Sequence, residues 1–108
     1  MDCVFCKIAK GEIPKDFEYQ DDKVLVFADI HPVAPVHLII IPREHIDDFY
    51  NVKDDSLYIA LMNVIKKMIG KHNLAGKGYR IVVNGGGAQI VRHLHFHLIG
   101  PVSSIRKL

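Results

Sequence analysis

Three histidines stand at alternate positions late in the chain, His93, His95 and His97, with Leu94, Phe96 and Leu98 interleaved. Period-two alternation marks a half-buried β-strand, because successive side chains leave a strand on opposite faces. The pattern predicts a strand over residues 93–99 that turns three imidazoles to one face, about 6.5 to 7 Å apart. The three apolar side chains would then face a core. Histidine has only a moderate preference for strands, and each ring carries two nitrogens that need partners. A row of three is a poor way merely to build a sheet, and a tag-like tract would lack the core residues in between. Such a row can bind metal or do acid–base and nucleophilic work, and periodicity alone does not choose. Strict alternation also puts Arg92 on the apolar face, so a strand edge or a bend must let it reach solvent.

The rest of the chain supplies partners for that strand. Residues 3–9 can form one or two helical turns, stopped near Gly11 and Pro14. Residues 17–20 and 23–28 read as strands joined at Asp21-Asp22, a hairpin turn signal. Residues 36–41 are rich in β-branched side chains and bracketed by Pro35 and Pro42, as in a buried strand. One long helix follows, capped by Asp54 or Asp55 and ending near Gly70. Its apolar stripe of Leu57, Leu61, Val64, Ile65, Met68 and Ile69 packs on a sheet in the simplest reading. Residues 79–84 form the remaining strand. No repeat or linker interrupts residues 1–108, so one domain is expected, of the α+β class with an antiparallel sheet.

Composition narrows the function. The 108 residues are 49% apolar and 24% charged, which is ordinary for a globular chain. A net charge of +2 is too small for a nucleic-acid footprint. Met1-Asp2-Cys3 does not open like a secretory signal, and the apolar run of residues 38–41 is too short to span a bilayer. The expected location is therefore cytoplasmic. There Cys3 and Cys6 form a metal half-site or a redox pair more readily than a disulfide. Asn84 is followed by Gly85-Gly86-Gly87, a loop whose backbone N–H groups could approach a phosphate or simply make a turn.

Taken together, several motifs resemble one family. His93-Leu94-His95-Phe96-His97-Leu98-Ile99 is similar to the histidine-triad motif, with Asn84, Gln89 and Val91 upstream where that family has an asparagine and a Gln-x-Val element. Cys3-Val4-Phe5-Cys6-Lys7-Ile8 and Gly11-Glu12-Ile13-Pro14 fit the same pattern. So does the run from Phe27-Ala28-Asp29-Ile30-His31-Pro32 through His37 to Ile41-Pro42-Arg43-Glu44-His45. The likeness covers nearly the whole chain and is strongest to the Hint-like branch of the histidine-triad family.

That resemblance implies a five-stranded antiparallel sheet with one long helix and a short N-terminal helix, in a homodimer that joins two sheets. It implies hydrolysis of nucleoside 5′-phosphoramidates through a covalent nucleotidyl-histidine. Two alternatives are a dinucleoside polyphosphate hydrolase of the same superfamily and a nucleotide-binding protein with weak catalysis. His95 would be the nucleophile, His97 would contact the phosphate and help the leaving group, and His37 would stand beside them or serve as a structural hydrogen-bonder. Asp29 would bind the ribose hydroxyls, while Ile8, Ile13, Phe27 and Ile30 would form a purine slot. Asn84, Ala88, Gln89 and Ile90 would line the phosphate side. Cys3, Cys6, His45 and His93 would hold one structural zinc, and no Mg²⁺ would be needed. Neutral imidazole is a competent nucleophile near pH 7, which agrees with those roles.

The chain departs from the pattern at three places. Ile90 stands where a serine or threonine is usual, the loop between Asn84 and Gln89 is about two residues short, and a Trp-Pro-Pro-Gly-like tail is missing before Leu108. Each bears on how substrates are selected.

Overall fold

A computed structural model describes residues 3–104; Met1, Asp2 and residues 105–108, where the readings of the two chain ends fall, lie outside the described residues. The elements are α1 (Val4–Ala9), β1 (Phe17–Gln20), β2 (Val24–Ala28), β3 (Val36–Pro42), α2 (Asp55–Lys71), β4 (Arg80–Val83) and β5 (Phe96–Gly100), with a short 3₁₀ turn at Phe49–Asn51. All strand pairs are antiparallel, in the order β1-β2-β3-β5-β4.

Local chemistry explains the boundaries. Asp54 caps α2, its carboxylate accepting from the Ser56 N–H at 2.9 Å. At the β1–β2 hairpin the Asp21 carboxylate accepts from the N–H groups of Lys23 and Val24, both at 2.7 Å, an Asx-type turn. Burial and the hydrogen bonds from Tyr19, Lys23 and Val24 act on Asp21 in opposite directions, and its carboxyl ends below the usual range.

The sheet has two buried faces. Val24, Val26, Leu38, Ile40, Phe96 and Leu98 pack against Leu57, Leu61, Val64, Ile65 and Met68 of α2. Leu25, Phe27, Ile39 and Ile41 point the other way and pack on Phe5 and Ile8 of α1. Because both faces are covered, β2 and β3 read as continuous apolar runs. Ile39 pairs with His97, so His97 stands on the α1 face, while Leu94, Phe96 and Leu98 lie in the α2 core as their spacing predicts.

The histidine strand is shorter than the alternation predicts. β4 ends at Val83, paired with Phe96, and the pairing with β3 also ends at Phe96, opposite Ile40, although β3 itself runs on to Pro42. The Leu94 N–H goes instead to the carbonyl of Ile46 at 2.6 Å. The segment before β5 bends, and Arg92 reaches the surface through that bend.

Candidate active site and metal-binding group

His95 and His97 are adjacent, their ring centroids 5.1 Å apart, but they are held differently. Nδ1 of His95 lies 2.8 Å from the carbonyl oxygen of His93. A carbonyl only accepts, so Nδ1 carries the proton and Nε2 keeps its lone pair. Phe5 packs edge-on against His95, with centroids 5.1 Å apart, and also against His93 and Phe27. The short helix α1 therefore wedges an aromatic ring behind the triad.

His97 has the opposite tautomer, set at a distance. The Val33 N–H donates to His37 Nδ1 at 3.2 Å, so the proton of His37 sits on Nε2. That nitrogen is 2.9 Å from His97 Nδ1 and 3.3 Å from Asp29 Oδ2. His97 Nδ1 thus accepts, which leaves Nε2–H of His97 as a donor. Burial pushes the His97 pKa below the usual histidine range, with the positive charges His95 and His37 could carry adding to the effect and Asp29 opposing it. Asp29, His37 and His97 also lie close enough to surround an ion. The Val33 bond argues against that use, because it keeps a proton on the His37 nitrogen that would have to ligate. The three residues are better described as a hydrogen-bond relay, with Asp29 anchored by the His31 N–H at 2.8 Å.

The first triad histidine belongs to another cluster. His93 is fully buried, and its Nε2 donates to the carbonyl of Pro42 at 2.8 Å. Its Nδ1 lone pair faces Cys3 Sγ at 3.4 Å and Cys6 Sγ at 3.6 Å, while His45 Nδ1 lies 3.3 Å from Cys6 Sγ. Burial lowers the His93 pKa, opposed by the bond to the Pro42 carbonyl and reinforced by His45 and His95, which favours the neutral ring that a ligand must be. Cys3 and Cys6 are free thiols, so Cys3, Cys6, His45 and His93 form a group that can hold a metal ion.

The other expected binding residues divide. Ile8 and Phe27 are buried in the α1-face core with Ile13 packed against it, whereas Ile30 is 72% exposed on the β2–β3 loop. Asn84 and Ala88 are exposed, and Ile90 is 98% exposed. Gln89 is buried and turned inward: its Nε2 donates to the Asp47 carbonyl and its Oε1 accepts from the Gly87 N–H, both at 2.9 Å. The glycine loop differs from the anion cradle that its sequence evokes. The N–H groups of Gly86, Gly87 and Ala88 are given to Asp48, Gln89 and the Gly85 carbonyl. Sequence reasoning missed Asp48, Phe5 and the acceptor carbonyls of Pro42, Ile46 and His93. Backbone partners leave no side-chain signature, although a carboxylate three residues after His45 was there to be read.

Comparison with known proteins agrees with this geometry. A family model described as scavenger mRNA decapping enzyme C-term binding matches residues 2–108. The chain belongs to the histidine-triad (HIT) family. It is 40% identical over 99 residues to an uncharacterised HIT-like protein of Methanocaldococcus jannaschii, covering 90% of this chain and 77% of that one. It is likewise 40% identical over 105 residues to the adenosine 5′-monophosphoramidase HNT1 of Candida albicans, covering 90% of this chain and 68% of that one. The solved HIT family hydrolase of Legionella pneumophila superposes with a TM-score of 0.91 at 42% identity, covering 98% of each chain. The five-stranded sheet and its helix are thus the fold of HIT family hydrolases. Among the described residues no helix is long and apolar enough to cross a membrane.

Proposed function

We propose that this chain hydrolyses purine nucleoside 5′-phosphoramidates through a covalent adduct on His95. The observation that carries the reading is the pair of opposite tautomers: a lone pair on His95 Nε2 beside an N–H on His97 Nε2, with the rings 5.1 Å apart. In the first step His97, having taken up a proton from solvent to become imidazolium, gives its Nε2 proton to the departing amine as His95 Nε2 bonds to the α-phosphorus and the P–N bond breaks. In the second, water attacks phosphorus, the P–Nε2 bond breaks, and a proton from that water returns to His97. A neutral nucleophile beside a histidine that carries the proton suits a leaving amine that must gain one. The activity named for the Candida relative supports the same substrate class. Asp29 Oδ2 is the acceptor placed for ribose hydroxyls, and Ile13 and Ile30 are the apolar side chains left for a base.

The four-residue cluster fits structural zinc. With Zn–S about 2.3 Å and Zn–N about 2.0 Å, tetrahedral geometry puts sulfur and nitrogen about 3.5 Å apart. The S···N separations here are 3.3, 3.4 and 3.6 Å. Zinc held by Cys3, Cys6, His45 and His93 would supply cross-linking of α1 to the triad segment and no step of the reaction. A homodimer joined through the edge strand β4, where Ile81 and, just before the strand, Tyr79 are exposed, completes the proposal; light scattering tests it.

His95→Gly separates chemistry from binding. The variant should bind AMP and fail to turn over adenosine 5′-phosphoramidate, and the wild-type enzyme should retain configuration at a chiral phosphorus, because two in-line displacements cancel. Inversion, or near-normal turnover by His95→Gly, would remove the covalent route.

A further inference from the structure

We propose that Asp48 is a positioning residue for His95, acting by anchoring the glycine loop through which the chain reaches the triad. The proposal rests on the reading of His95 as nucleophile and adds a residue which that reading does not contain. Asp48 Oδ2 accepts the Gly86 N–H at 2.8 Å, and Oδ1 accepts the Tyr50 N–H at 3.3 Å. The loop is shaped around that carboxylate. A Cβ on residue 85 would sit 2.6 Å from Asp48 Oδ1, and Gly86 has a φ of +66° that other residues rarely adopt. The Gly86 N–H first, and the Arg92 charge last, are among the influences that hold the Asp48 carboxyl below its usual range.

The neighbours of Asp48 continue the same contact. The Asp47 carbonyl holds Gln89 at 2.9 Å, and the Ile46 carbonyl holds the Leu94 N–H at 2.6 Å. Three consecutive residues thus template the loop at 86, 89 and 94, and His95 comes next. Since β5 begins only at Phe96, His95 has no ladder of its own. Its placement, and the bond from its Nδ1 to the His93 carbonyl, depend on this template. Of the three anchoring residues only Asp48 contributes a side chain, so only Asp48 can be tested by substitution without moving the backbone acceptors.

The test joins kinetics to ¹⁵N NMR of the His95 ring, which reports the tautomer whether or not the substrate is right. Asp48→Ala should lower kcat on adenosine 5′-phosphoramidate by about ten- to a hundredfold, the scale of a small misplacement of a reacting group, with KM nearly unchanged. The Nδ1–H signature of His95 should weaken, and Asp48→Asn, which keeps one acceptor oxygen, should recover part of both losses. Gly85→Ala drives a methyl against Asp48 Oδ1 and should mimic Asp48→Ala, and the double variant should be no worse than Asp48→Ala alone. If Asp48→Ala does not fold, Asp48→Asn and Gly85→Ala carry the comparison. Unchanged kcat and unchanged tautomer in the folded variants, or additive losses in the double variant, overturn the proposal. Absence of phosphoramidate turnover in the wild-type protein would instead defeat the reading of function, and the ring signature alone would then judge Asp48.

Discussion

Nδ1 of His95 lies 2.8 Å from the carbonyl of His93, whose own ring faces the sulfurs of Cys3 and Cys6. One residue therefore belongs to two clusters: its ring to the metal-binding group, its carbonyl to the tautomer of His95, the proposed nucleophile.

That double use predicts what metal removal does. Purified protein should carry about one zinc per chain, and Cys3→Ala or Cys6→Ala should lower its melting temperature, because metal binding adds directly to folding free energy. The same variants should also lose kcat, since the backbone of His93 supplies the carbonyl bonded to His95 Nδ1. Elemental analysis with thermal melts decides the first point; metal-free protein that melts like the wild type would end the structural role.

The relay through His37 predicts a leaving-group effect. His37→Phe removes the donor to His97 Nδ1, so His97 no longer has a fixed Nε2–H. Turnover of phosphoramidates with basic, poorly leaving amines should fall by about ten- to a hundredfold, part of what a general acid supplies. Substrates with easily expelled groups should be nearly unaffected. Equal losses across a series of amines would assign His37 a packing role only.

Much of this arrangement is legible in the sequence, for reasons that differ by residue. The alternation of Leu94, Phe96 and Leu98 reported their shared core face faithfully, and the capping signal at Asp54 marked the start of α2, because both depend on local periodicity. The same alternation overextended the histidine strand. Where a strand ends depends on distant backbone partners: β4 stops at Val83, and the Leu94 N–H goes to the Ile46 carbonyl although β3 runs on to Pro42. The Cys3-x-x-Cys6 pair was visible, but its union with His45 and His93 rests on contacts 39 and 90 residues away in sequence, which only the family resemblance supplied. The glycine loop left a phosphate approach and a plain turn both open. Gln89, two residues on, takes the Gly87 N–H locally, but nothing nearby in sequence announces that Asp48, 38 residues away, takes that of Gly86.

Stability should respond to pH through His97. Burial first, then repulsion from His95 and His37, lowers its folded pKa from the ordinary value of about 6.5. Between the lowered value and about 6.5 the unfolded chain binds the extra proton and the folded chain does not. Stability therefore rises with pH across that window and is lost as pH falls below about 6.5. The carboxylates of Glu18, Asp21, Asp48 and Asp54, all lowered, behave oppositely in charge and act at more acidic pH. They stabilise above their unfolded values and lose that contribution as pH falls through their folded ones. Denaturant melts at constant metal content should show a decline on the acid side of 6.5 that His97→Gln flattens. An equally steep decline in His97→Gln would assign the effect to other groups.

Asp29 offers the sharpest test of substrate class, because its carboxylate is already half committed. Oδ1 accepts from the His31 N–H at 2.8 Å, while Oδ2 lies 3.3 Å from His37 Nε2 and 4.0 Å from His97 Nδ1. If Oδ2 receives ribose hydroxyls, charge-assisted bonds worth about 1.5 to 3 kcal/mol are at stake. Asp29→Asn should then weaken AMP binding by a corresponding ten- to hundredfold or so and barely change the binding of 2′,3′-dideoxy-AMP. If Oδ2 serves chiefly to orient His37, both ligands should bind as before, and the loss should appear in kcat with basic leaving amines, as for His37→Phe. Calorimetric titration of the two nucleotides, beside turnover of the amine series, separates the outcomes. Equal weakening of both nucleotides would show that Asp29 shapes the β2–β3 loop through His31, and would take the ribose contact away from this residue.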